Sequence, residues 1–477
     1  MGDPVDALTI IFTESYYWIT VVMMFLIHAG FCTYEVGASR RKNVLHTLMK
    51  NTMLIPLVTV TFFFFGWYVY FGFPNVPFAS GGFTAASHAE PWSNLMGAHM
   101  GGESEDGAYW ARINGVFWAA FLLFSWTTAS IVSGAVIERI KTGAFLIFAV
   151  LIGSFTWILD AAWGWHPGGW MVQILGYHDA YASGVVHAIA GGSALAILFV
   201  LGPRIGKFGP NGEVNDIKPH NPWLVTVGLF LIFTGFWGFY AACNVPIIDI
   251  GGEAGTFFSA TNIYGMPTTL SAIVYNFLMS FSGGLMAAYL VSKGNPFWTY
   301  SGGLGGIIAA SAGNDLYHPL QALFIGGAGV VFMFYVHHWV ERKFKIDDAV
   351  GAVAVHGYAG FFGVIVCGFV LWGYPAAAPT FGDYSAREAS IALFTTPEGL
   401  PQINPVGQIL GAIIMFWVLG FAPCYVLARV LQHFNMLRVP REVELAGLDT
   451  HQLGDAYPYH AHQETAFEKI ERTYAKE

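Results

Sequence analysis

The sequence predicts an all-α membrane protein with eleven transmembrane helices, organised as two inverted five-helix repeats and a long eleventh helix. Three observations lead to this class. Of the 477 residues, 55% are hydrophobic and only 11% are charged, whereas about a quarter of a soluble protein is charged. The apolar residues form segments of about 20 residues, the length that crosses a bilayer. One sequence pattern also occurs in both halves of the chain.

The apolar segments give the helices in order, and their flanking residues give the orientation. Helices are expected at 15–37, 47–72, 113–138, 142–164, 179–201, 222–243, 262–292, 299–314, 319–341, 348–374 and 404–435. Every Lys and Arg except Arg112 and Arg387 falls on one side of this topology, which the positive-inside rule makes cytoplasmic. We therefore expect a multi-pass protein of the plasma (inner) membrane with its N-terminus outside.

This topology also gives the domain organisation. Residues 1–435 form the transmembrane domain, with repeats at about 15–201 and 222–374 and the eleventh helix at 404–435. Residues 436–477 form a polar cytoplasmic tail. Because five is odd, the two repeats enter the membrane in opposite directions.

The repeated pattern is D-A-Y-A-S-G-V-V-H-A-I-A-G at 179–191 and D-A-V-G-A-V-A-V-H-G-Y-A-G at 348–360. In each copy the histidine, His187 or His356, follows the aspartate by eight residues. An ionisable group within an apolar run is costly and marks a functional site. Equivalent positions in two inverted repeats predict that the histidines meet at the membrane midplane. The alternative is that each is a hydrogen-bonded core residue.

A dry pore with two imidazoles favours a particular substrate chemistry. Hydrated ions are excluded, because transferring a charge into low dielectric is very costly, whereas a small neutral molecule passes. Imidazoles can relay protons, so a weak base that arrives as a cation and crosses as a neutral molecule fits. Trp163, Trp165 and Trp170 would attract that cation through their ring faces, or else they form an interfacial aromatic belt. Asp179 would cap its helix and add negative potential.

Further sequence features narrow the range of functions. The formal net charge of −9 argues against a nucleic-acid partner. The predicted outer loop 73–112 holds His88, His99, Glu103, Glu105 and Asp106, whose spacing matches no recognised metal-binding pattern, so a solvated loop is expected rather than a metal site. The four cysteines show no disulfide framework. We expect neither a cofactor nor enzymatic activity. Glu35 and Glu138 are expected to pair with Arg40 and Arg139.

Several segments together resemble the ammonium transporter family (Amt/Mep/Rh) along nearly the whole chain. They are G-F-C-T-Y-E-V-G-A-S-R-R-K-N (30–43), G-A-V-I-E-R-I (134–140), H-D-A-Y-A-S-G-V-V-H (178–187), L-G-P-R-I-G-K-F (201–208), D-D-A-V-G-A-V-A-V-H-G-Y-A-G (347–360) and L-R-V-P-R-E-V-E-L-A-G-L-D (437–449). The resemblance implies a homotrimer with one pathway in each subunit. It also implies ammonium or methylammonium as the substrate, and a PII-type regulator as a candidate partner at the cytoplasmic face.

The resemblance also implies roles for individual residues. Trp165, Asp179, Phe124 and Cys243 would bind ammonium at the outer mouth, and Phe124 and Phe239 would form a stacked gate. His187 and His356 would line the pore, conducting ammonia and relaying the proton separately. The chain departs from the family pattern at Ala120, Asp160, Ala180, Tyr181, Ala182, Tyr240, Cys243 and Gly351.

Two other functions remain open at this stage. An ammonium sensor on the same fold would bind the cation without conducting it. A redox protein would use the two membrane histidines as ligands to a haem.

Overall fold

The computed structural model describes residues 4–74, 108–166, 168–249, 257–264, 266–377 and 392–454. Their main helices are α1 (Pro4–Ala38), α2 (Val44–Gly72), α3 (Ala108–Ala135), α4 (Thr142–Gly164), α5 (Ser183–Leu201), α6 (Pro222–Ala242), α7 (Leu270–Val291), α8 (Pro296–Ala310), α9 (Pro319–Phe344), α10 (Val353–Val370), α11 (Pro405–His433), α12 (Arg441–Ala446) and α13 (Leu448–Leu453). Within these described residues, ten helices are long and apolar enough to cross a membrane. Helix α8, with 15 residues, is shorter than each of these ten helices.

Several helices begin where an asparagine or histidine precedes a proline. The side chains of Asn221, Asn295 and Asn404 accept backbone N–H hydrogen bonds at the starts of α6, α8 and α11. Proline in the first turn loses nothing there, because that N–H has no partner within a helix. His318 makes a capping box with Gln321 at the start of α9. These caps explain why α8 begins at Pro296, three residues before the predicted start.

The described residues also include a small antiparallel sheet between α6 and α7. Its strands are β1 (Asn244–Asp249), β2 (Phe257–Asn262) and β3 (Pro267–Thr268), in the order β1-β2-β3. Asn244 pairs with Asn262 in register. The apolar pattern predicted only helices, and the predicted start of the seventh helix, residue 262, lies in β2.

The helices pack so that α5 and α10 lie at the centre. Helix α5 contacts α10, α11 and α3, while α1 packs along α6 and α7 packs against α8 and α9. Both central helices begin with a π-helical segment, Ser183–Ala188 in α5 and Val353–Tyr358 in α10. Such segments are rare and often mark functional sites. Each repeated histidine lies inside one of them.

The described part of the C-terminal tail packs against the loops at one end of the bundle. Backbone hydrogen bonds join Lys141 to Leu437 and Val439 to Arg139. The carboxylate of Asp449 accepts the N–H groups of Leu45 and His46 at the start of α2. We call this the basic end of the bundle, because Arg40, Arg139, Arg204 and Arg438 lie in its loops. The remainder of the predicted tail, residues 455–477, lies outside the described residues.

Candidate functional site

The repeated histidines are in direct contact at the centre of the bundle. Their Nδ1 atoms are 3.0 Å apart, a hydrogen-bond distance. Both side chains are buried. Because the two Nδ1 atoms face each other, each ring keeps its Nε2 free to point away from the pair. The Nε2 of His187 has no hydrogen-bond partner among the described residues.

Glycines set the distance between the two histidine-bearing helices. A methyl group added at Gly191 would overlap the backbone of Gly357, and one added at Gly360 would overlap the carbonyl of Ser183. Gly191 and Gly360 are equivalent in the two sequence repeats, and they contact equivalent segments of the opposite helix. The two helices are therefore close on both sides of the crossing, and small residues allow the backbones to approach in this way.

Aspartates hold the start of each histidine-bearing helix. Asp179 Oδ2 accepts the N–H groups of Gly184 and Val185 at 2.7 and 2.9 Å. The carboxylate of Asp348 likewise accepts those of Ala352 and Val353, at 2.9 and 2.8 Å. The aspartates thus precede the helices, which explains why α5 begins four residues and α10 five residues after their predicted starts.

Aromatic rings form a continuous column on the Asp179 side of the histidines. The ring centroids of Trp165 and Phe124 are 5.0 Å apart, those of Phe124 and Phe239 are 4.6 Å apart, and those of Phe239 and His187 are 5.5 Å apart. The planes of Phe124 and Phe239 meet at 82°, an edge-to-face contact rather than parallel stacking. All four residues are buried. A hydrated ion has no room in this column.

Polar contacts position the residues above the column. The Trp165 indole donates to the backbone carbonyl of Asp179 at 2.7 Å. Tyr177 donates its hydroxyl hydrogen to Asp179 Oδ2 at 3.2 Å. Asp179 Oδ1 has no hydrogen-bond partner among the described residues. One carboxylate oxygen is therefore committed to structure, and the other is free to accept a proton or a cation.

A buried ion pair lies beside Asp179. His178 Nε2 lies 3.1 Å from Asp315 Oδ2, and both side chains are buried. Burial alone would lower the pKa of His178, but the Asp315 carboxylate raises it above its usual value. Nothing in the sequence pattern identifies Asp315 as the partner, because it lies in the distant loop after α8.

Two of the departures from the family pattern contact each other. The rings of Tyr181 and Tyr240 stack with centroids 4.2 Å apart and planes at 7°. Tyr181 donates to Asn244 Oδ1 at 3.0 Å, and the Tyr240 hydroxyl lies 2.7 Å from Ser311 Oγ. The two substitutions thus compensate each other. Cys243, another departure, donates its thiol hydrogen to the Phe239 carbonyl at 3.4 Å.

A path of cavities leads from His356 towards the basic end. A narrow cavity of about 20 Å³, room for about one water, is lined by His356, Phe31, Tyr34 and Gly351, among others. A larger cavity of about 750 Å³ shares Gly351 and continues past Trp298. Gly351 has φ +69°, so a side chain there would strain the backbone as well as narrow the path.

The larger cavity also borders a cluster of three side chains, within the described residues, whose nitrogen and oxygen atoms are close enough to hold a metal ion. His337, His338 and Glu341 have potential ligand atoms within 4.8 Å of one another. Lys207 Nζ already pairs with Glu341 Oε1 at 2.8 Å. A divalent ion would have to displace this ammonium group, so we assign no metal here.

Two predicted ion pairs are wrong. Glu35 pairs with Lys50 at 3.7 Å and also accepts from Ser133 and Asn51. Glu138 pairs with Arg40 at 2.6 Å and with Arg204 at 3.8 Å. Both predictions assumed a partner close in sequence, but tertiary packing brings Lys50 from α2 to Glu35, and Arg40 and Arg204 from two loops to Glu138.

Arg139 and Arg204 instead both donate hydrogen bonds to Asp347, the residue before Asp348. Arg204 donates to both Asp347 carboxylate oxygens, at 2.8 and 3.0 Å, and Arg139 donates to its backbone carbonyl at 2.6 Å. Burial alone would raise the pKa of Asp347, but the two guanidinium groups hold it well below its usual range.

The apolar helices define a multi-pass membrane protein, and its buried aromatic column ends at the histidine pair. The Ammonium Transporter Family model matches residues 16–457. The chain belongs to that family of membrane transporters.

Similar proteins cover nearly the whole chain. Ammonium transporter Amt2 of Methanocaldococcus jannaschii is 30% identical over 460 residues, covering 95% of this chain and 94% of that one. Ammonium transporter Amt2 of Archaeoglobus fulgidus is 28% identical over 457 residues, covering 92% and 86%. These relatives confirm the family resemblance.

Solved structures share the fold. One titled Sensor Amt Protein has a TM-score of 0.70 at 23% identity and covers 94% of this chain and 99% of that one. Mep2 of Saccharomyces cerevisiae has a TM-score of 0.65 at 19% identity and covers 90% and 88%.

Proposed function

We propose that the chain is an ammonium transporter that deprotonates ammonium near Asp179 and conducts ammonia past His187 and His356. The observation that carries the proposal is the uninterrupted column from Trp165 to the histidine pair. It offers ring faces to a cation at one end and apolar walls beyond.

The column separates the cation from the neutral molecule. Ammonium meets the ring face of Trp165 and the free oxygen of Asp179, whereas the Phe124–Phe239 contact opposes entry of a charge. Ammonia carries a lone pair and N–H groups, and the outward-facing Nε2 atoms of the two imidazoles can donate to it or accept from it. The proton follows separately through the Nδ1–Nδ1 hydrogen bond.

The proposal extends to topology and assembly. We infer eleven transmembrane helices, α1–α11, because α8 together with residues 311–313 continues the bundle next to α7 and α9. The equivalent glycine contacts between α5 and α10 support the inverted repeat. The basic end is then cytoplasmic by the positive-inside rule. We also propose a transmembrane domain of residues 1–435, a cytoplasmic tail of residues 436–477, a homotrimer with one path in each subunit, and a PII-type regulator at the basic end.

The test is methylammonium uptake by proteoliposomes, together with current against ammonium concentration. The double variant His187→Ala/His356→Ala is expected to lose uptake at least about tenfold, since apolar side chains offer no hydrogen bond to the passing molecule and no proton relay. The matched control His433→Ala removes an exposed histidine at the end of α11 and should transport normally. Full uptake by the double variant would overturn the proposal.

An ammonium sensor is the second candidate function. The family often has a serine at the proposed outer binding site, and Cys243, which stands in its place, is a weaker hydrogen-bonding group. A sensor would bind ammonium without current, and the same recordings separate the two functions. The geometry opposes a haem between the histidines. Two axial nitrogens each about 2 Å from a metal would be about 4 Å apart, whereas the Nδ1 atoms are 3.0 Å apart.

A further inference from the structure

Asp160 is a buried carboxylate for which the proposed transport path has no role. It lies within α4, has 0% of its surface exposed, and neither of its oxygens has a hydrogen-bond partner among the described residues. A buried carboxylate without a partner is very costly when ionised, so it must hold a proton or face a cation at some stage.

The helix register places Asp160 on the side of Tyr177 and Asp179. Gly164 lies four residues later, on the same face of α4. A methyl group added at Gly164 would meet the Met415 side chain at 2.6 Å and the Tyr177 ring at 3.1 Å. The Tyr177 hydroxyl in turn donates to Asp179 Oδ2. Asp160 therefore shares with Asp179 the region above the aromatic column.

Among the described residues, the helices and loops around Asp160 and Asp179 bring no cation that could neutralise both carboxylates. Helix α2 supplies Tyr68 and Tyr70 at this end, while its Lys50 bonds to Ser133 at the far end. The described side chains of α3, of Met171–Leu175 and of Ile414–Phe421 in α11 include no titratable group, and the first turns of α5 supply only His187. The loops and helix ends beside the pair add Tyr177, Tyr264 and Cys243, which are uncharged as acids. They also add His166, whose pKa is lowered to about 4 by burial, so it stays neutral. His178 is held by Asp315. Two carboxylates in such a site cannot both ionise, so they share one proton.

We propose that Asp160 and Asp179 form a proton-exchanging carboxylate pair, from which an arriving ammonium or methylammonium displaces the one shared proton. This rests on the proposed transport of ammonium. In the exchange, an O–H bond of the pair breaks, its electrons stay on the carboxylate oxygen, and the proton leaves to water. The cation replaces the lost positive charge.

The doubly ionised pair then acts as the base for the bound cation. One N–H bond breaks, and its electrons remain on nitrogen as the lone pair of ammonia. The proton forms an O–H bond on the pair, for which Asp179 Oδ1 is the free acceptor. Ammonia enters the column, and the pair is left with one proton. When that proton follows through the histidine pair, a proton from water restores the starting state, so one charge crosses with each ammonia.

The test measures apparent methylammonium affinity against pH from currents in proteoliposomes. In the unaltered chain, the pair gives up one proton for each cation that binds. The apparent affinity should therefore fall about tenfold for each pH unit below the pH at which the pair loses that proton. Asp160→Asn should abolish this slope, and Asp160→Glu should keep it. The control Glu442→Gln changes an exposed residue of α12 and should match the unaltered chain.

Infrared difference spectroscopy tests the same step on the unaltered chain, even if Asp160→Asn folds poorly. Adding ammonium should remove a protonated-carboxyl C=O band, and Asp160→Asn should lack that change. A pH slope or a band loss that persists in a folded Asp160→Asn protein would overturn this inference alone. Absence of both current and binding from the unaltered chain at every pH would instead overturn the proposed function.

Discussion

The glycine crossing of α5 and α10 gives the sharpest test of how the fold sets the histidine pair. In Gly191→Ala, the new methyl group would overlap the Gly357 backbone, whereas carbon atoms in contact prefer about 3.5–4.0 Å. Backbone cannot rotate away as a side chain can, so the helices must separate by roughly 1 Å. That separation would stretch the 3.0 Å Nδ1–Nδ1 contact past the limit of a hydrogen bond.

The expected cost of this overpacking is about 1–3 kcal/mol of stability. Thermal unfolding in detergent and methylammonium uptake in proteoliposomes should both fall for Gly191→Ala. Gly357→Ala should have a smaller effect, because its new methyl group would meet Gly191 Cα and the Phe416 ring at 3.0 Å. Gly143→Ala is the control, since nothing lies within 4 Å of its added methyl group. Unchanged uptake and melting of Gly191→Ala would refute the reasoning.

Three other predictions follow from contacts of the described residues. Arg204→Ala leaves the buried Asp347 and Glu138 carboxylates short of a partner and should cost about 3–5 kcal/mol in unfolding experiments; an effect below about 1 kcal/mol would contradict a buried network. Because the folded-state pKa of Asp347 is depressed, the stability it contributes is present above its unfolded pKa of about 3.9 and is lost as the pH falls further. Asp347→Asn should therefore melt lower at neutral pH and lose less on acidification, and parallel melting curves would argue against this. A double-mutant cycle with Tyr181→Leu and Tyr240→Leu should give a coupling of about 0.5–1.5 kcal/mol from their stacking, whereas additive effects would contradict the compensation.

The predictions that rest on periodicity and length match the structure well. Apolar length predicted the ten helices that are long and apolar enough to cross a membrane among the described residues, because such a helix must satisfy its own backbone hydrogen bonds. The remaining predicted segment, 299–314, overlaps the 15-residue α8, which is shorter than a membrane span. The repeated Asp and His positions predicted a pair that faces each other across the bundle, and His187 and His356 do so. A sequence repeat could predict this long-range contact because equivalent positions are expected to meet where two inverted repeats face each other.

Features that depend on contacts between distant residues could not be predicted from the sequence pattern. The Tyr181–Tyr240 stack joins two departures that look unrelated along the chain. Glu138 takes Arg40 and Arg204 instead of its neighbour Arg139, because the side chains of successive residues project in different directions. The π-helical starts of α5 and α10 have no local signal comparable to the asparagine–proline starts of other helices.

The distance between the histidine rings is set by groups other than the rings. Asp179 and Asp348 fix the axial position of each helix through backbone N–H groups, and the glycines fix the lateral distance. Substituting an imidazole therefore removes hydrogen-bonding and proton-relay groups while the support stays in place. His187→Asn, which keeps a polar side chain, should melt close to the unaltered chain yet transport poorly. If melting and uptake fell together in His187→Asn, the rings would themselves hold the helices, and their loss could not be interpreted as a loss of chemistry.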